Sequence, residues 1–249
     1  MIENVALNKI RRGEPTFGLS LAAGSHIIAE MFAHAGVDWI WLDTQHGYWS
    51  YDDALRALQV IGPTGTTPIV RPGSNDFFRI GRLLDAGALG LIVPMVNSPE
   101  EAQAAIYAAN YSPAGGRSIG GGRTSYYGED YTEAANESIL VAVMIETRQA
   151  LDRAEEIASV QGLDCLFMGP SDLGLSLGVE HGSPEHEAAI QRVLEAAASA
   201  GVPAGIPCGG VDEALRRADQ GFKLIHCGSE MGMVRAGINT VLEALSRGS

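Results

Sequence analysis

Eight short apolar segments alternate with eight amphipathic segments along this chain, and that order constrains the fold more than any other feature. The apolar segments have the length of buried strands and lie at 16–21, 39–43, 67–71, 89–93, 140–145, 164–168, 203–206 and 222–227. Helices are predicted at 26–34, 52–60, 76–85, 99–110, 149–159, 184–200, 211–219 and 231–246. Continuous apolar strands are typical of a parallel sheet covered on both faces. Eight such units in 249 residues predict a single α/β domain over 1–249, a (β/α)8 TIM barrel rather than an open doubly wound sheet.

Charge and composition exclude two classes of partner. The chain has 17 Lys and Arg against 30 Asp and Glu, a formal net charge of -13, so it lacks the basic footprint that nucleic acids and anionic membranes require. Its apolar runs are shorter than the roughly 18 residues of a spanning helix, and its start lacks a secretion signal pattern. We therefore expect a soluble cytoplasmic protein without nucleic-acid or membrane partners. The three cysteines, Cys165, Cys208 and Cys227, are too far apart for a CxxC metal site and are predicted to be reduced.

One segment, 111–138, interrupts the alternation between the fourth helix and the fifth strand. It contains the turn-forming strings Ser112-Pro113-Ala114-Gly115-Gly116-Arg117 and Gly120-Gly121-Gly122-Arg123. Connections of this length are usually functional or flexible. We predict an active-site loop that covers the strand ends and brings Arg117 and Arg123 to an anionic ligand, with a flexible surface excursion as the alternative. The last segment, 229–249, is predicted to be a helix at a subunit interface.

Two of the apolar segments end on a single carboxylate. Segment 141–145 runs into Glu146, and segment 165–168 is followed by Gly169, Pro170, Ser171 and Asp172. An unpaired charge buried in a sheet costs several kcal/mol, so these carboxylates are expected to emerge at the strand ends and share a cation or a strong donor. The pattern therefore predicts a divalent metal held by Glu146 and Asp172.

Other strand ends supply a proton carrier and a cation. Asp43 and His46 follow the second strand, and Arg71 ends the third. Since barrel active sites lie at the carboxyl ends of the strands, this set indicates a site where a cation and Arg71 stabilise an enolate while His46 moves a proton. Each residue also has a structural alternative, because His46 could pack, Arg71 could simply pair with Asp43, and Asp172 could cap a helix. Schiff-base chemistry is not expected, since the only lysines, at 9 and 223, lie away from these strand ends.

Several strings, in order over most of the chain, resemble the HpcH/HpaI family of metal-dependent (class II) pyruvate aldolases. The strings are Leu42-Asp43-Thr44-Gln45-His46, Arg71-Pro72, Leu83-Leu84-Asp85-Ala86-Gly87-Ala88, Val93-Pro94-Met95-Val96, Tyr111-Ser112-Pro113-Ala114-Gly115-Gly116-Arg117, Ile145-Glu146-Thr147-Arg148 and Met168-Gly169-Pro170-Ser171-Asp172-Leu173. The resemblance implies a homohexameric barrel enzyme that reversibly cleaves a 4-hydroxy-2-oxo acid to pyruvate and an aldehyde through a metal-bound pyruvate enolate. It implies no nucleotide cofactor.

The resemblance also implies a role for each site residue. Glu146 and Asp172 would bind Mg²⁺, Mn²⁺ or another divalent transition metal. The backbone amides of Ser171 and Asp172 would hold the substrate carboxylate, as amides hold anions at a helix N-terminus, and Gly169 and Pro170 would belong to the same substrate-binding turn. Arg71 would contact the keto oxygen, His46 would act as the base, and Asp43 would orient both.

Asp85 belongs to a different part of the predicted barrel. Its helix runs back toward the amino ends of the strands, so Asp85 cannot reach the site of its own barrel, and an acid in a last helical turn opposes the helix dipole. The resemblance implies that Asp85 of a neighbouring subunit pairs with His46; a solvated acid before Gly87 is the alternative.

The chain departs from many family members at Met144 and Gln45, where those members carry Gln and Glu. Candidates for the aldehyde pocket are Trp49, Arg123, Tyr126 and Tyr127.

Three rival functions stay open at this point. Oxaloacetate decarboxylation passes through the same enolate and is not distinguished by the residues. A lyase acting on a CoA thioester or phosphorylated acid would use the glycine turns Gly209-Gly210 and Gly228-Ser229, which carry no basic residue. A non-catalytic, metal-dependent binding protein would not need the full set of His46, Arg71, Glu146 and Asp172.

Overall fold

The structure, a computed structural model, describes residues 3–120 and 122–247 and contains a closed barrel of eight parallel strands. Each strand pairs with the next in sequence, and the first pairs with the last. The predicted (β/α)8 barrel is therefore confirmed. The strands are β1 (Thr16–Leu21), β2 (Trp39–Asp43), β3 (Thr67–Arg71), β4 (Gly90–Val93), β5 (Leu140–Ile145), β6 (Cys165–Met168), β7 (Ala204–Pro207) and β8 (Leu224–Ser229).

Twelve α-helices and one 3-10 turn, Gly122–Tyr127, accompany these strands in the described residues. The helices are α1 (Val5–Arg11), α2 (His26–Ala33), α3 (Tyr51–Ile61), α4 (Phe77–Asp85), α5 (Pro99–Ala109), α6 (Tyr131–Ser138), α7 (Arg148–Asp152), α8 (Ala154–Ala158), α9 (Pro170–Leu177), α10 (Pro184–Ala200), α11 (Val211–Gln220) and α12 (Glu230–Arg247).

The barrel has an aromatic interior. Trp39, Trp41 and Phe167 point inward, and the apolar side of α1 closes the base. A β-carbon at Gly18 would overlap the Trp39 ring, and one at Gly205 would overlap the Phe167 ring, so these glycines make room for the large rings. A second, larger cluster fills the layer between the strands and the helices.

Helices α1, α6 and α9 were not predicted from sequence, and one predicted helix is divided into two. Helix α1 has only seven residues and is set by Asn4, whose side chain accepts the Leu7 amide. Helix α9 begins with Pro170 in a glycine-containing segment that resembles a loop. The predicted helix 149–159 is interrupted at Arg153, which separates α7 from α8.

The segment 111–138 lies at the amino end of the barrel, because it connects the last turn of α5 to the start of β5. It contains the 3-10 turn and α6, and Tyr127 donates to the Gly87 carbonyl at 2.6 Å just beyond the end of α4. The prediction of a lid over the strand ends of the same chain is therefore wrong. Gly121, part of the predicted glycine string, lies outside the described residues.

Helix α12 leaves the barrel. Its first residue, Glu230, is buried and accepts hydrogen bonds from the amides of Ala22 and Ala23 after β1, whereas 231–246 are exposed. The exposed side chains include apolar residues at helical spacing: Met231, Val234, Ile238, Val241, Leu242 and Leu245. The helix predicted at 231–246 is present as α12, and positions 248 and 249 of the predicted interface segment 229–249 lie outside the described residues. Within the described part of the chain, no helix has the length and apolar character needed to cross a bilayer.

Candidate active site

The center of the site is an ion pair between neighbouring strand ends. Asp43 and Arg71 are in register on β2 and β3, and Arg71 donates from Nε to Oδ1 at 2.8 Å and from Nη2 to Oδ2 at 2.5 Å. Burial alone would raise the pKa of Asp43, but the hydrogen bonds and charge of Arg71 and the amides of His46 and Gln45 outweigh it and lower that pKa. Asp43 therefore fixes both the guanidinium and the turn that carries His46.

Arg71 keeps one edge of its guanidinium for another acceptor. The Nη1 atom faces the Met144 sulfur at 3.9 Å, and thioether sulfur accepts hydrogen bonds only weakly. The guanidinium carbon lies 4.8 Å from the center of the Trp41 ring, a cation–π arrangement that supports it from inside the barrel. Because Nε and Nη2 are taken by Asp43, Nη1 is the edge suited to an anionic oxygen.

Glu146 directly follows β5 and has only 2% of its surface exposed. Its Oε1 accepts the Met95 amide at 2.6 Å. Burial is the largest effect on Glu146 and raises its pKa, and the negative charge of Asp172 raises it further. The Met95 hydrogen bond and the positive charges of Arg71 and His46 lower the pKa but do not outweigh burial. These charges act on Glu146 because the three side chains lie near it, so the structure brings His46, Arg71 and Asp172 together around Glu146.

Asp172 lies in the first turn of α9, which begins immediately after β6. Gly169 is in close contact with Glu146, since a β-carbon there would lie 2.6 Å from the Glu146 Cβ. Ser171 and Asp172 are exposed, so their amides and side chains are open to a ligand. His186, which sequence reasoning missed, holds this turn: its Nε2 lies 2.7 Å from the Pro170 carbonyl, and its Nδ1 accepts the Gly182 amide at 3.2 Å.

The donor set fits a hard divalent cation. In the described residues, no group of three or more His, Cys, Asp and Glu side chains is arranged to hold a metal ion. A pair of carboxylates, buried at Glu146 and exposed at Asp172, matches Mg²⁺, which usually keeps waters or substrate oxygens in its coordination shell. Glu146 and Asp172 therefore fit Mg²⁺ or Mn²⁺ completed by a substrate, rather than an all-protein cage.

Asp85, Arg117 and Arg123 lie together at the other end of the barrel. The Arg117 side chain, 1% exposed, donates to Asp85 at 2.8 Å and to the Tyr131 hydroxyl at 3.1 Å, and its guanidinium carbon lies 4.6 Å from the center of the Tyr111 ring. The Asp85 side chain remains 26% exposed. The predicted position of Asp85 near the base is thus correct.

Arg123 caps two helices at that same end. It donates to the carbonyls of Ala86 and Leu58 at 2.8 and 2.7 Å, at the carboxyl ends of α4 and α3. The prediction that Arg117 and Arg123 reach a ligand in the site of their own chain is therefore wrong, because both are used in contacts at the amino end. Tyr127 is buried beside Arg123 and cannot line that site either.

Two buried polar residues near β1 were also missed. His226 on β8 lies 2.9 Å from the Ser20 hydroxyl and packs edge-on to Trp41, and burial lowers its pKa to about 4. Glu230 directly follows β8 as Glu146 directly follows β5, so the signal of a carboxylate after a strand was present there too. The indole of Trp49, a candidate for the aldehyde pocket, donates to the Leu21 carbonyl at 2.8 Å and so ties two loops together.

The glycine turn after β7 does not present a free anion cradle. The Gly209 amide donates to the Glu213 carboxylate at 2.9 Å, so an acid already occupies the place where a phosphate would accept. The cysteines are all free thiols, and burial raises the pKa of Cys208 to about 12. Phosphorylated substrates and thiol chemistry are both disfavoured.

A parallel barrel with two acids, an arginine and a histidine at the carboxyl ends of its strands defines a barrel enzyme that handles oxyanions. The chain belongs to the HpcH/HpaI aldolase/citrate lyase family, whose model matches residues 16–236. The predicted family is therefore confirmed.

Named relatives narrow the class of enzyme. The chain is 42% identical over 203 residues to the hydroxypyruvate/pyruvate aldolase of Sagittula stellata, covering 79% of this chain and 80% of that protein. It is 36% identical over 243 residues to the 4-hydroxy-2-oxo-heptane-1,7-dioate aldolase of Klebsiella pneumoniae, covering 95% and 91%. A crystal structure of a family protein from Burkholderia cenocepacia superposes with a TM-score of 0.92 at 33% identity, covering 98% and 99%. These relatives support the predicted aldolase type of lyase.

Proposed function

We propose that the chain catalyses the reversible, divalent-metal-dependent cleavage of a 4-hydroxy-2-oxo acid to pyruvate and an aldehyde. The observation that carries the proposal is the meeting of Glu146, Asp172, Arg71 and His46 at one end of the barrel, where the charges of the last three act on the buried Glu146. The aldolase names of relatives that share most of the chain support the same chemistry.

The residues divide the work of the reaction among them. Glu146 and Asp172 hold Mg²⁺ or Mn²⁺, which when bound acts as a Lewis acid toward the oxygens of the 2-oxo acid. The amides at Ser171 and Asp172 receive the substrate carboxylate at the start of α9. Arg71 donates from Nη1 to the keto oxygen, while Asp43 keeps the guanidinium oriented.

Proton transfer falls to His46, whose side chain is exposed at the strand ends. In cleavage it removes the proton of the 4-hydroxyl group, the C3–C4 bond breaks, and the electron pair moves into the pyruvate enolate as the aldehyde leaves. The enolate carbon then takes a proton to give pyruvate. Addition runs through the same steps in reverse.

The site is completed by a second copy of the chain in this proposal. Asp85 is partly exposed at the amino end, is held by Arg117 and cannot reach His46 of its own barrel. The apolar residues of α12 offer a surface that a second copy can cover, as proposed for the interface segment 229–249. By family resemblance we propose a homohexamer in which Asp85 of one subunit pairs with His46 of another.

Hydrogen exchange at C3 of pyruvate tests the core of this function. We expect the protein in D₂O with Mg²⁺ or Mn²⁺ to exchange these hydrogens by NMR, and EDTA or Glu146→Gln to stop it. The same assay with hydroxypyruvate, followed by aldehyde screens, tests the donor suggested by the Sagittula relative. Oxaloacetate is assayed in parallel to compare decarboxylation with aldol cleavage. A folded protein without metal-dependent exchange would favour a non-catalytic binding role.

A further inference from the structure

Met95 adopts a backbone conformation that side chains rarely take. Its φ is +57°, and in the described ranges it is the only residue other than glycine with a positive φ. The left-handed region is unfavourable for such residues, so surrounding contacts must hold it. The conformation coincides with a specific contact, because the Met95 amide donates to Oε1 of Glu146 at 2.6 Å.

The side chain of Asn97 connects both sides of this contact. Its Nδ2 donates to the Met95 carbonyl at 2.9 Å, and its Oδ1 accepts a short hydrogen bond from the Thr147 hydroxyl. Thr147 immediately follows Glu146 and caps α7 by accepting the Ala150 amide at 3.0 Å. The side-chain amide of Asn97 therefore links Met95, which binds Glu146, to Thr147, which follows Glu146 in sequence.

Asn97 is itself held in place. Its backbone amide donates to Oε2 of Glu101 at 2.6 Å in the first turn of α5. The donor and the acceptor of its side chain are both used, so an aspartate would keep the bond from Thr147 and lose the bond to Met95. Neither Met95 nor Asn97 carries charge, which leaves a positioning role for the pair.

We propose that Asn97 is a positioning residue that keeps Met95 left-handed, so that the Met95 amide fixes Oε1 of Glu146 and leaves Oε2 to face a divalent cation. The inference rests on the proposed function, because it takes Glu146 as a metal ligand. Partners that orient a ligand typically change metal affinity about 10- to 100-fold when they are removed.

The test is Mn²⁺ binding by the full chain, measured by EPR and calorimetry without substrate. We expect Asn97→Ala and Asn97→Asp to weaken Mn²⁺ binding by about 10- to 100-fold. Met95→Gly keeps the amide and takes a positive φ without strain, so it should bind nearly as wild type. For the same reason, Asn97→Ala should weaken binding less in the Met95→Gly background than in wild type.

The matched control is Asn75→Ala, which removes an asparagine hydrogen bond of 2.8 Å to the Glu101 carbonyl on the same helix but does not involve Met95 or Glu146. It should leave Mn²⁺ affinity unchanged. Melting temperatures of the metal-free proteins show whether each variant is folded, and Asn97→Asp replaces Asn97→Ala if the latter is not.

The outcomes distinguish failure of the proposed metal site from failure of the positioning role of Asn97. If wild type binds no Mn²⁺, the proposed metal site itself fails. If wild type binds and Glu146→Gln does not, but folded Asn97 variants bind as tightly as wild type, the metal site stands and the positioning role is overturned. Equal losses from Asn97→Ala in the wild-type and Met95→Gly backgrounds would overturn the link through Met95.

Discussion

Exchange of Glu146 for glutamine separates the penalty of burying a charge from the gain of binding a metal. The carboxylate is almost fully buried and accepts one backbone amide, and burial is the main reason that its pKa is raised. A carboxyl whose pKa is higher in the folded than in the unfolded chain destabilises the fold at neutral pH. Glutamine has the same shape, carries no charge and keeps an acceptor for Met95. We expect the metal-free variant to be more stable than wild type by about 1 kcal/mol at pH 7.

The raised pKa of Glu146 also determines how the stability difference between the two proteins changes with pH. The penalty is fully present above the raised pKa of folded Glu146 and disappears as the pH falls toward the unfolded value of about 4.3. The stability difference between variant and wild type should therefore shrink between pH 7 and about pH 4. Urea unfolding of both proteins in EDTA across this range measures it.

Bound metal should make the wild type more stable than Glu146→Gln, which reverses the order expected without metal. Free Mg²⁺ or Mn²⁺ at 100 times its Kd stabilises the wild type by about 2.7 kcal/mol, which is roughly 5 to 10 °C in Tm for a chain of this size. The variant should show no such shift and no exchange activity. The reasoning is refuted if metal-free Glu146→Gln melts below wild type throughout this pH range, or if metal raises both melting temperatures equally.

Three further predictions concern the guanidinium, the buried histidine and the last helix. Arg71→Lys keeps the charge but not the two-pronged contact with Asp43, so kcat should fall about 100- to 1,000-fold in steady-state assays; near-normal turnover would remove its assigned role. The pKa of His226 is lowered to about 4, so the unfolded chain binds a proton below pH 6.5 that the folded chain does not. The contribution of this histidine to stability should therefore fall by about 3 kcal/mol from pH 6.5 to 4, so His226→Gln should lose less stability than wild type over this range in urea titrations. Ile238→Asp places a charge on the apolar side of α12 and should give smaller species in sedimentation velocity; an unchanged assembly would exclude this face from the interface.

Three residues of the site were predictable because each is a charged residue at the end of an apolar run. Asp43, Arg71 and Glu146 stand at such positions, and the barrel brings them to one end. The place of 111–138 was predictable in principle as well. Asp85 is expected near the base because its helix runs toward the amino ends of the strands, and the same holds for any segment that joins a helix to the following strand. The length of 111–138 favours an active-site loop instead, and connectivity is the stronger of the two signals.

Other features depend on contacts that no local pattern reveals. The left-handed conformation of Met95 is held by Asn97 and used by Glu146, which is about 50 positions away in sequence. The contact of His186 with the Pro170 carbonyl arises only when α10 packs beside α9. Arg117 was expected at a ligand because it is charged, yet two tyrosines and one carboxylate provide enough contacts to bury it.

Asp85 and Glu146 lie at opposite ends of the barrel, and this has a consequence for symmetry. A twofold axis can generate a contact between these two ends when two barrels lie side by side and antiparallel, because each copy then gives its Asp85 to the partner and receives the partner's in return. Without that axis the contact is head-to-tail, and its repetition closes into a ring when the rotation between copies divides a full turn and otherwise continues as a filament. A pair of copies built through Asp85 therefore either completes both of its sites at once or leaves one of them open.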